Sequence, residues 1–403
     1  MNDFPLAGLR VVEISQVWAG PQLCSCLADM GAEVIRVESA LGTDFGRFSK
    51  VERSPLRAFL ELHRHPRSRD SYISINLGTA EGHDLFREIV RTADVFICNI
   101  APRAMEKLKL TYEHIRPLRP DIVMATISAA GLTGPRKDLV GFGPSVNAVA
   151  GSDSLVGYPE TGDLMSSYWD PDPVMGVAGA YGVLLAIYHR QATGEGQLVD
   201  LSFFEVLTGL IGEAMLEYQM WGRLPALRGN AHPVMAPHGV YRADGDDAWI
   251  SIAVKTDQEW RGLCKAFQRP ELADDPRFRT FDLRRKNRAA LHALIQEWSR
   301  QRPPDEAVKL LQAHGVAAAR VMTVGDAFLD PHDAYRRTNI TVLDNTITKD
   351  QITYGIPWRL TRTPGALRRM GQPYGIDNVR FFTSMLGLPE SRVQDMAKRD
   401  VLK

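Results

Sequence analysis

Two strand patterns joined by one helix pattern open the chain and constrain its fold most strongly. Residues 9–14 (LRVVEI) and 33–38 (EVIRVE) have the apolar content of buried strands, and residues 22–30 between them predict a helix that ends at Gly31. A β-α-β unit of this kind requires a parallel sheet with a right-handed crossover. No G-x-G-x-x-G motif follows the first strand, so the sequence argues against an NAD-dependent enzyme.

The same alternation continues along the first third of the chain. Further strands are predicted at residues 72–77, 95–98 and 122–127, and a helix capped by Thr79 runs to about residue 91. Strands that alternate with helices predict an α/β fold with a large Rossmann-like domain. Ligands of open parallel sheets bind beyond the carboxyl ends of the strands, so four loops are expected to form the site: residues 15–21, 38–47, 99–107 and 128–144.

A buried helix with an acidic start is predicted in the middle of the chain. Residues 174–187 form an apolar run of helical length, and Pro173 fits the first turn of a helix. Asp172 then falls at the N-cap, where the positive helix end keeps a carboxylate ionised. An ionised and positioned carboxylate can act as a nucleophile, and the alternative is that Asp172 only caps the helix.

The overall composition excludes several classes of protein. Among 403 residues, 48 basic side chains balance 48 acidic ones, which gives no charged surface for nucleic acid or acidic lipid. Cys24, Cys26, Cys98 and Cys264 lack the spacing of a metal site and are expected to be reduced core thiols of a cytoplasmic protein. No signal peptide pattern opens the sequence, and residues 174–187 are too few to span a membrane. We therefore expect no metal, nucleic acid or membrane partner.

A second, smaller α+β domain is predicted over residues 226–325, after a first domain over residues 1–225. Strands with an Asp244-Gly245 turn and three amphipathic helices indicate it, at residues 239–241, 248–253, 260–267, 291–299 and 305–314. One continuous helix is expected before it, from Glu205 to about Trp221.

Two motifs carry a family resemblance. From Asp172 the chain reads D-x-x-x-G, then the buried helix, then H-R-x-x-T-G-x-G-Q-x-V-D-x-S, and near its start it reads PLAGLRVVEISQVWAGPQLCSCLADMGAEVIRVES. Both segments resemble the class III coenzyme A transferases, which are the CaiB/BaiF type that includes formyl-CoA transferase. A weaker similarity extends to about residue 380. The resemblance implies that Asp172, four residues before Gly176, is the catalytic nucleophile and that Asp170 is not.

The resemblance also implies the assembly, the substrates and the route. Members of the family are interlocked, ring-shaped homodimers, and residues 326–403 would return to complete the large domain. An acyl-CoA and a carboxylic acid would be the substrates, with no permanently bound cofactor. Coenzyme A would move through an aspartyl-acyl anhydride and an aspartyl-CoA thioester.

Five residues are candidate contacts of coenzyme A. Arg36 matches a basic family residue at the nucleotide end, and Asn99 opens the family's N-F-[RK]-P-G segment. That segment here reads NIAPR, so the basic side chain is displaced to Arg103, with Lys107 one helical turn beyond it. Lys137 lies in a glycine-rich stretch (GLTGPRKDLVGFGP) that either lines the pantetheine arm and phosphates or is a surface connection. A solvated surface charge is the alternative for each basic residue.

Aromatic and histidine side chains are candidate contacts of the acyl group. Trp18 stands where oxalate-type members carry glutamine, and Tyr168 and Trp169 shortly precede the expected nucleophile. These rings indicate a bulkier, aryl-substituted acid, unless they belong to the core. His232 and His238 lie in the loop after G-N-A, which two prolines stiffen relative to the family's glycine-rich loop.

Three other activities stand as alternatives. A 2-methylacyl-CoA racemase of the same superfamily needs a His–Asp pair, and its histidine position is Phe142 here, which cannot carry a proton. An intramolecular coenzyme A transferase would act as an isomerase on one dicarboxylic acid. A non-catalytic subunit of a hetero-oligomeric transferase is the third alternative, and the presence of Asp172 argues against it.

Overall fold

A six-stranded sheet organises the larger part of the chain in a computed structural model, which describes residues 4–39, 69–163, 171–342 and 351–403. The strands of the whole chain, in order, are β1 (Arg10–Ile14), β2 (Glu33–Glu38), β3 (Ser71–Ser74), β4 (Val95–Cys98), β5 (Val123–Ser128), β6 (Gly157–Tyr158), β7 (Gly162–Asp163), β8 (Leu198–Ser202), β9 (His238–Arg242), β10 (Trp249–Ala253), β11 (Ala317–Val321), β12 (Asn339–Val342) and β13 (Gln351–Tyr354).

The sheet has the strand order β3-β2-β1-β4-β5-β8, and every neighbouring pair is parallel. On one side Val12 pairs with Ile35 of β2, and on the other it pairs with Phe96 of β4. After β1 the chain adds β2 and β3 on one side of it, and then β4, β5 and β8 on the other side, as in doubly wound folds. The expected α/β fold with a parallel sheet is therefore confirmed.

Helices connect most of these strands, and none within the described ranges is both long and apolar enough to cross a membrane. The helices, in order, are α1 (Ala19–Asp29), α2 (Ala80–Arg91), α3 (Pro102–Lys107), α4 (Tyr112–Ile115), α5 (Gly143–Ala150), α6 (Pro171–Thr193), α7 (Phe203–Leu210), α8 (Gly212–Trp221), α9 (Asp257–Ala266), α10 (Phe281–Lys286), α11 (Arg288–Ser299), α12 (Pro304–Ala313), α13 (Val324–Leu329), α14 (Pro331–Arg336), α15 (Asn378–Leu386) and α16 (Glu390–Lys398).

Both faces of the parallel sheet are covered, as the continuous apolar strands predict. Side chains alternate along β1, so Val12 joins a core with Phe86, whereas Val11 joins a separate core with Leu23 of α1 and Val183 of α6. The second of these cores holds α6 against the sheet. The helix that carries Asp172 is thus fixed by buried apolar contacts.

Glycines bring α6 close to α1. A Cβ atom on Gly176 would lie 2.6 Å from the Cβ of Gln22, and one on Gly179 would lie 2.5 Å from Cδ1 of Leu23. Since real Cβ atoms do not approach so closely, any side chain at these positions would push the two helices apart.

The chain divides into two compact units, which are Met1–Asp153 with Met165–Arg223 and Tyr335–Lys403, and Ser154–Leu164 with Leu224–Ala334. The second unit contains an antiparallel sheet in the order β11-β10-β9. Its core joins Ile250 of β10 to Trp260, Ile295 and Leu311 of three helices. The domain boundaries expected from the sequence stay a prediction.

The carboxyl-terminal part of the first unit covers strand β3, which stands at one end of the sheet order. Asp377 accepts a hydrogen bond from the Tyr72 N–H at 2.9 Å, and Asn378 accepts one from the Ser74 N–H at 2.9 Å. An edge strand has backbone N–H groups that no neighbouring strand accepts. Here the N–H groups of Tyr72 and Ser74 donate to side-chain oxygens.

Two helix predictions are wrong in detail. Helix α6 begins at Pro171, so Asp172 lies in its first turn and not at the N-cap. Proline needs no hydrogen-bond partner there, which allows the helix to start before Pro173. The single helix expected up to Trp221 is two, α7 and α8, because the backbone of Ile211 (φ −106°, ψ 25°) leaves the helical region.

Candidate active site

A cavity of about 210 Å³ opens at the carboxyl ends of β1, β4 and β5. Strands β1 and β4 are neighbours, and the chain leaves them in opposite directions across the sheet, so the cavity lies at the switch point where open α/β sheets bind ligands. Loops that follow the three strands supply much of its wall, together with residues 139–143 of the glycine-rich stretch.

Asp172 contributes a carboxylate to this cavity. Its side chain belongs to the first turn of α6, and the residue is only 7% exposed. The positive end of the helix favours a negative charge at this position. Gly143 lies directly beside it, because a Cβ atom there would be 2.9 Å from Oδ2 of Asp172.

The loop after β1 is strained where it lines the cavity. Val17 has φ of +61°, which is rare for a β-branched residue. Asn99, at the end of β4, holds the neighbouring Gln16: its Oδ1 accepts from the Gln16 N–H at 2.7 Å, and its Nδ2 donates to the Gln16 carbonyl at 2.8 Å. Gly20 allows this approach, since a Cβ there would lie 2.9 Å from Cγ of Asn99. Strain of this kind persists only where neighbours fix it, and it is concentrated at functional sites.

A second cavity, of about 390 Å³, lies at the carboxyl ends of β1, β2 and β3. Lys107 and Asn76 contribute to its wall. Gln16 and Ile100 line both cavities. The two cavities are therefore adjacent, and together they follow the ends of the strands from β3 to β5.

Arg36 lines the larger cavity and is fully buried. Its Nη1 lies 2.5 Å from Oε1 of Glu13, and its Nε lies 3.0 Å from Oε1 of Glu38. Arg69 approaches the other oxygen of Glu13 at 2.8 Å. Burial alone raises the pKa of Glu13, but the guanidinium groups of Arg69 and Arg36 outweigh it and hold the pKa below its usual value. The charge of Arg36 is therefore already shared with two carboxylates.

The remaining basic candidates of the first unit lie at its surface. Arg103 is 81% exposed and forms an ion pair with Asp138 at 3.3 Å. Lys137 is also exposed, and neither residue lines the two cavities. Of the basic residues predicted to contact coenzyme A, the structure brings Arg36 and Lys107 to the larger cavity.

Among the aromatic candidates, Trp18 is half-buried at the start of α1. Both of its neighbours line the cavity that holds Asp172, but Trp18 does not. Tyr168 and Trp169 lie outside the described residues.

The two histidine candidates belong to the second compact unit. Their ring centroids are 5.2 Å apart, and Nδ1 of His238 lies 2.7 Å from the Asn230 carbonyl. His232 accepts a hydrogen bond from the Val234 N–H at 3.2 Å. Both line a separate pocket of about 310 Å³ within that unit.

Several lining residues were not singled out by sequence reasoning, notably Gln16, Ile100 and Gly143. All three belong to the stretches that the strand pattern places after strands at the carboxyl edge, although Gly143 itself opens helix α5. Position after a strand is therefore the signal that finds them. In the described ranges, no group of three or more His, Cys, Asp and Glu is placed to hold a metal ion, and all four cysteines are buried thiols.

Comparison with known proteins identifies relatives over the full length of the chain. The model of CoA-transferase family III matches residues 6–378. The chain is 32% identical over 405 residues to succinyl-CoA–D-citramalate CoA-transferase of Chloroflexus aurantiacus, with 99% of this chain and 98% of that protein covered. It is 29% identical over 402 residues to the alpha subunit of succinyl-CoA–L-malate CoA-transferase of Chloroflexus aurantiacus, with 100% of this chain and 93% of the subunit covered.

A solved structure has the same fold. The crystal structure of a CaiB/BaiF family protein from Brucella suis superposes with a TM-score of 0.83 at 30% sequence identity. The superposition covers 93% of this chain and 97% of that protein.

Proposed function

The chain belongs to CoA-transferase family III and is an enzyme that transfers coenzyme A, and on that premise we propose that Asp172 carries the transfer covalently. The proposed reaction moves coenzyme A from an acyl-CoA to a carboxylic acid. The observation that carries the proposal is the buried carboxylate of Asp172 in the cavity at the sheet switch point.

The proposed route has four balanced steps. A carboxylate oxygen of Asp172 attacks the thioester carbonyl, the C–S bond breaks, and coenzyme A leaves as a thiolate. The thiolate attacks the aspartyl carbonyl of the anhydride, which releases the donor acid and forms an aspartyl-CoA thioester. The acceptor carboxylate then attacks that thioester and releases the thiolate again. Finally, the thiolate attacks the new acyl carbonyl, which forms the new acyl-CoA and restores Asp172.

Two features of the cavity support this chemistry. Residues 141–143 line it, and backbone N–H groups of glycine-containing segments are suited to stabilise tetrahedral oxyanions. Burial of Asp172 limits access of water, which would hydrolyse both the anhydride and the thioester.

We assign the nucleotide end of coenzyme A to the larger cavity. Lys107 provides a positive charge there, and the pantetheine arm would pass Gln16 and Ile100, which line both cavities. Arg36 would contribute to the wall of this site while paired with Glu13 and Glu38. Arg103 and Lys137, at the surface, would meet the ligand only after a change of side-chain conformation.

The relatives support succinyl-CoA as the donor and a small dicarboxylic acid as the acceptor, because both curated relatives are named for such substrates. The bulkier, aryl-substituted acid expected from Trp18 stays a prediction. The identity of Phe142 supports transfer over racemisation, since this residue lines the cavity and phenylalanine cannot carry the proton for which a racemase of this type needs an imidazole.

An interlocked homodimer is the proposed assembly. Helices α6 and α8 of the first unit present large apolar side chains that are at least half exposed in the single chain: Tyr181, Leu185, Tyr188, Met220 and Trp221. Patches of this kind mark protein interfaces. A hetero-oligomer with a related subunit is the alternative, since one relative is named as an alpha subunit. The cytoplasmic location expected from the reduced cysteines is part of the proposal.

Trapping with hydroxylamine tests the covalent role. The enzyme is incubated with succinyl-CoA and then with hydroxylamine, and peptide masses are measured. A hydroxamate is expected on Asp172 and on no other acid. Asp172→Asn should lower kcat by several orders of magnitude, on the scale of losing a nucleophile, whereas Asp170→Asn should keep substantial activity. A label on Asp170, or full activity in Asp172→Asn, would overturn the assignment.

A further inference from the structure

A pocket in the second compact unit has a wall of arginine side chains. It has a volume of about 310 Å³ and is formed by residues 228–238 together with parts of α10 and α11. Four arginines line it: Arg228, Arg284, Arg285 and Arg288. Among the described residues that line this arginine pocket, none is Asp or Glu.

Arg284 fixes the wall of the arginine pocket and is fully buried. Its Nε donates to the Ala236 carbonyl at 2.8 Å, and its Nη2 donates to Oδ1 of Asp257 at 3.1 Å. Its guanidinium also lies over the ring of Trp260, with 5.2 Å between Cζ and the ring centroid. Arg284 therefore has a structural role, and Asp257 balances its charge.

Arg285 and Arg288 are different, because both are exposed and neither has a carboxylate partner within the described ranges. Arg285 lies 5.9 Å from the ring centroid of Phe281. Arg288 donates from Nε to Nε2 of His292 at 3.2 Å. Two positive charges thus face one pocket, and no carboxylate in the described part of the chain pairs with either of them.

The surroundings of the two arginines also favour an anion. Arg288 and His292 belong to the first two turns of α11, whose amino end carries a partial positive charge. Burial, together with the charge of Arg288, lowers the pKa of His292 to about 4. This ring is therefore neutral at pH 7, and it accepts a hydrogen bond that holds Arg288 in place.

We propose that the arginine pocket binds a compact dianion, with Arg285 and Arg288 as its two positive contacts. A guanidinium group offers parallel N–H donors that match the two oxygens of a carboxylate or a phosphate. Two sources have this chemistry: a dicarboxylic acid, and the phosphate groups of coenzyme A. The proposal does not rest on the covalent role of Asp172, because every lining residue belongs to the second unit.

Calorimetric titration of the full-length enzyme with succinate tests the proposal. The double variant Arg285→Ala/Arg288→Ala should raise the Kd about tenfold, as expected for the loss of two charged contacts. The matched control is Lys286→Ala, which removes an exposed positive charge between them that does not line the pocket. Its Kd should stay within about twofold of the wild-type value. Propionate, with one carboxylate, should bind more weakly than succinate in the wild type.

Hydrogen–deuterium exchange locates the bound anion. Succinate should protect peptides that contain residues 281–292 in the wild type and in Lys286→Ala, but not in the double variant. Adenosine 3′,5′-bisphosphate is tested in parallel, and the ligand that protects these peptides at the lower concentration identifies the source of the dianion. Equal Kd values in the double variant and the wild type, or protection confined to the first unit, would overturn the proposal. Since hydroxamate labelling of Asp172 is a separate readout, failure here leaves the covalent mechanism unaffected.

Discussion

Replacement of Gly143 by alanine tests whether the position of the Asp172 carboxylate limits turnover. The added Cβ would lie 2.9 Å from Oδ2 of Asp172, whereas ordinary contacts begin at 3.4 Å. The carboxylate ends a rotatable side chain and Gly143 is part of helix α5, so the carboxylate is the group that moves, by about half an ångström. A misplacement of ~1 Å costs on the order of 100-fold in rate, and half of that should lower kcat roughly tenfold.

The fold should tolerate this change. Gly143 is the first residue of α5 and precedes Pro144, so the gain that alanine brings inside a helix does not apply here. Its φ is not left-handed, so the free energy of unfolding of Gly143→Ala should fall by no more than about 1 kcal/mol. Gly209→Ala is the matched control, because Gly209 lies in helix α7 and, outside its own helix backbone and chain neighbours, no atom of the described residues is within 4 Å of its added Cβ. Steady-state exchange between succinyl-CoA and an acceptor acid, followed by mass spectrometry, gives kcat and KM for both variants. If Gly143→Ala keeps kcat within about twofold of the control at an unchanged Tm, the position of Asp172 does not control the reaction.

Three further outcomes are expected. Lys107→Ala should raise the KM for acyl-CoA several-fold with little change in kcat. The control Lys265→Ala, at an exposed residue of the second unit, should leave the KM unchanged. An unchanged KM in Lys107→Ala would remove this residue from the nucleotide site. Burial raises the pKa of Asp377, but the Tyr72 N–H and Arg369 outweigh this and leave it below the ordinary value. The ionised Asp377 carboxylate therefore stabilises the folded state at neutral pH, and this contribution is lost as the pH falls through the pKa of Asp377 in the folded protein. Asp377→Asn should lower the free energy of unfolding, measured in urea, by about 1.5–3 kcal/mol at pH 7 and by much less near pH 3. An equal loss at both pH values would contradict the stabilising role of the ionised carboxylate. Sedimentation at micromolar concentration should give a dimer, and a compact monomer would rule out the proposed assembly.

Much of the parallel sheet could be predicted because its signals are local. Strands β2 and β4 have the predicted limits, since short apolar runs bounded by turns are unambiguous when helices separate them. The cap of α2 is also as predicted: the hydroxyl of Thr79 accepts from the Gly82 N–H at 3.1 Å. The helix pattern after Asp172 indicates a carboxylate at a helix start, and the resemblance, through the spacing to Gly176, selects Asp172 as the candidate nucleophile.

Features that depend on distant partners could not be predicted. The amide of Asn99 holds the backbone of Gln16, which the sequence does not show, while Asn99 also lines the cavity and its contact with coenzyme A stays a prediction. The left-handed backbone of Val17 has no sequence signal, because β-branched residues normally avoid it. Arg36 lies within a predicted strand, and the sequence around it does not show that Glu13, 23 positions earlier, pairs with it beside Glu38. In the sequence, the arginine pocket is visible only as a basic stretch around residues 284–288. The loop that faces this stretch and closes the pocket lies about 50 positions earlier, and Ala236 in it is 48 positions before Arg284.

The closure of strand β3 by side chains from the end of the chain has a consequence for synthesis. Tyr72 leaves the ribosome 305 residues before Asp377, the residue that accepts its N–H. At ~5–20 residues per second, that interval lasts roughly 15–60 s. Throughout it, the nascent chain carries backbone donors that a neighbouring chain on the same messenger can bind. We therefore expect slowed elongation, or a chaperone that shields this strand, to determine how much of the newly made protein reaches the folded state.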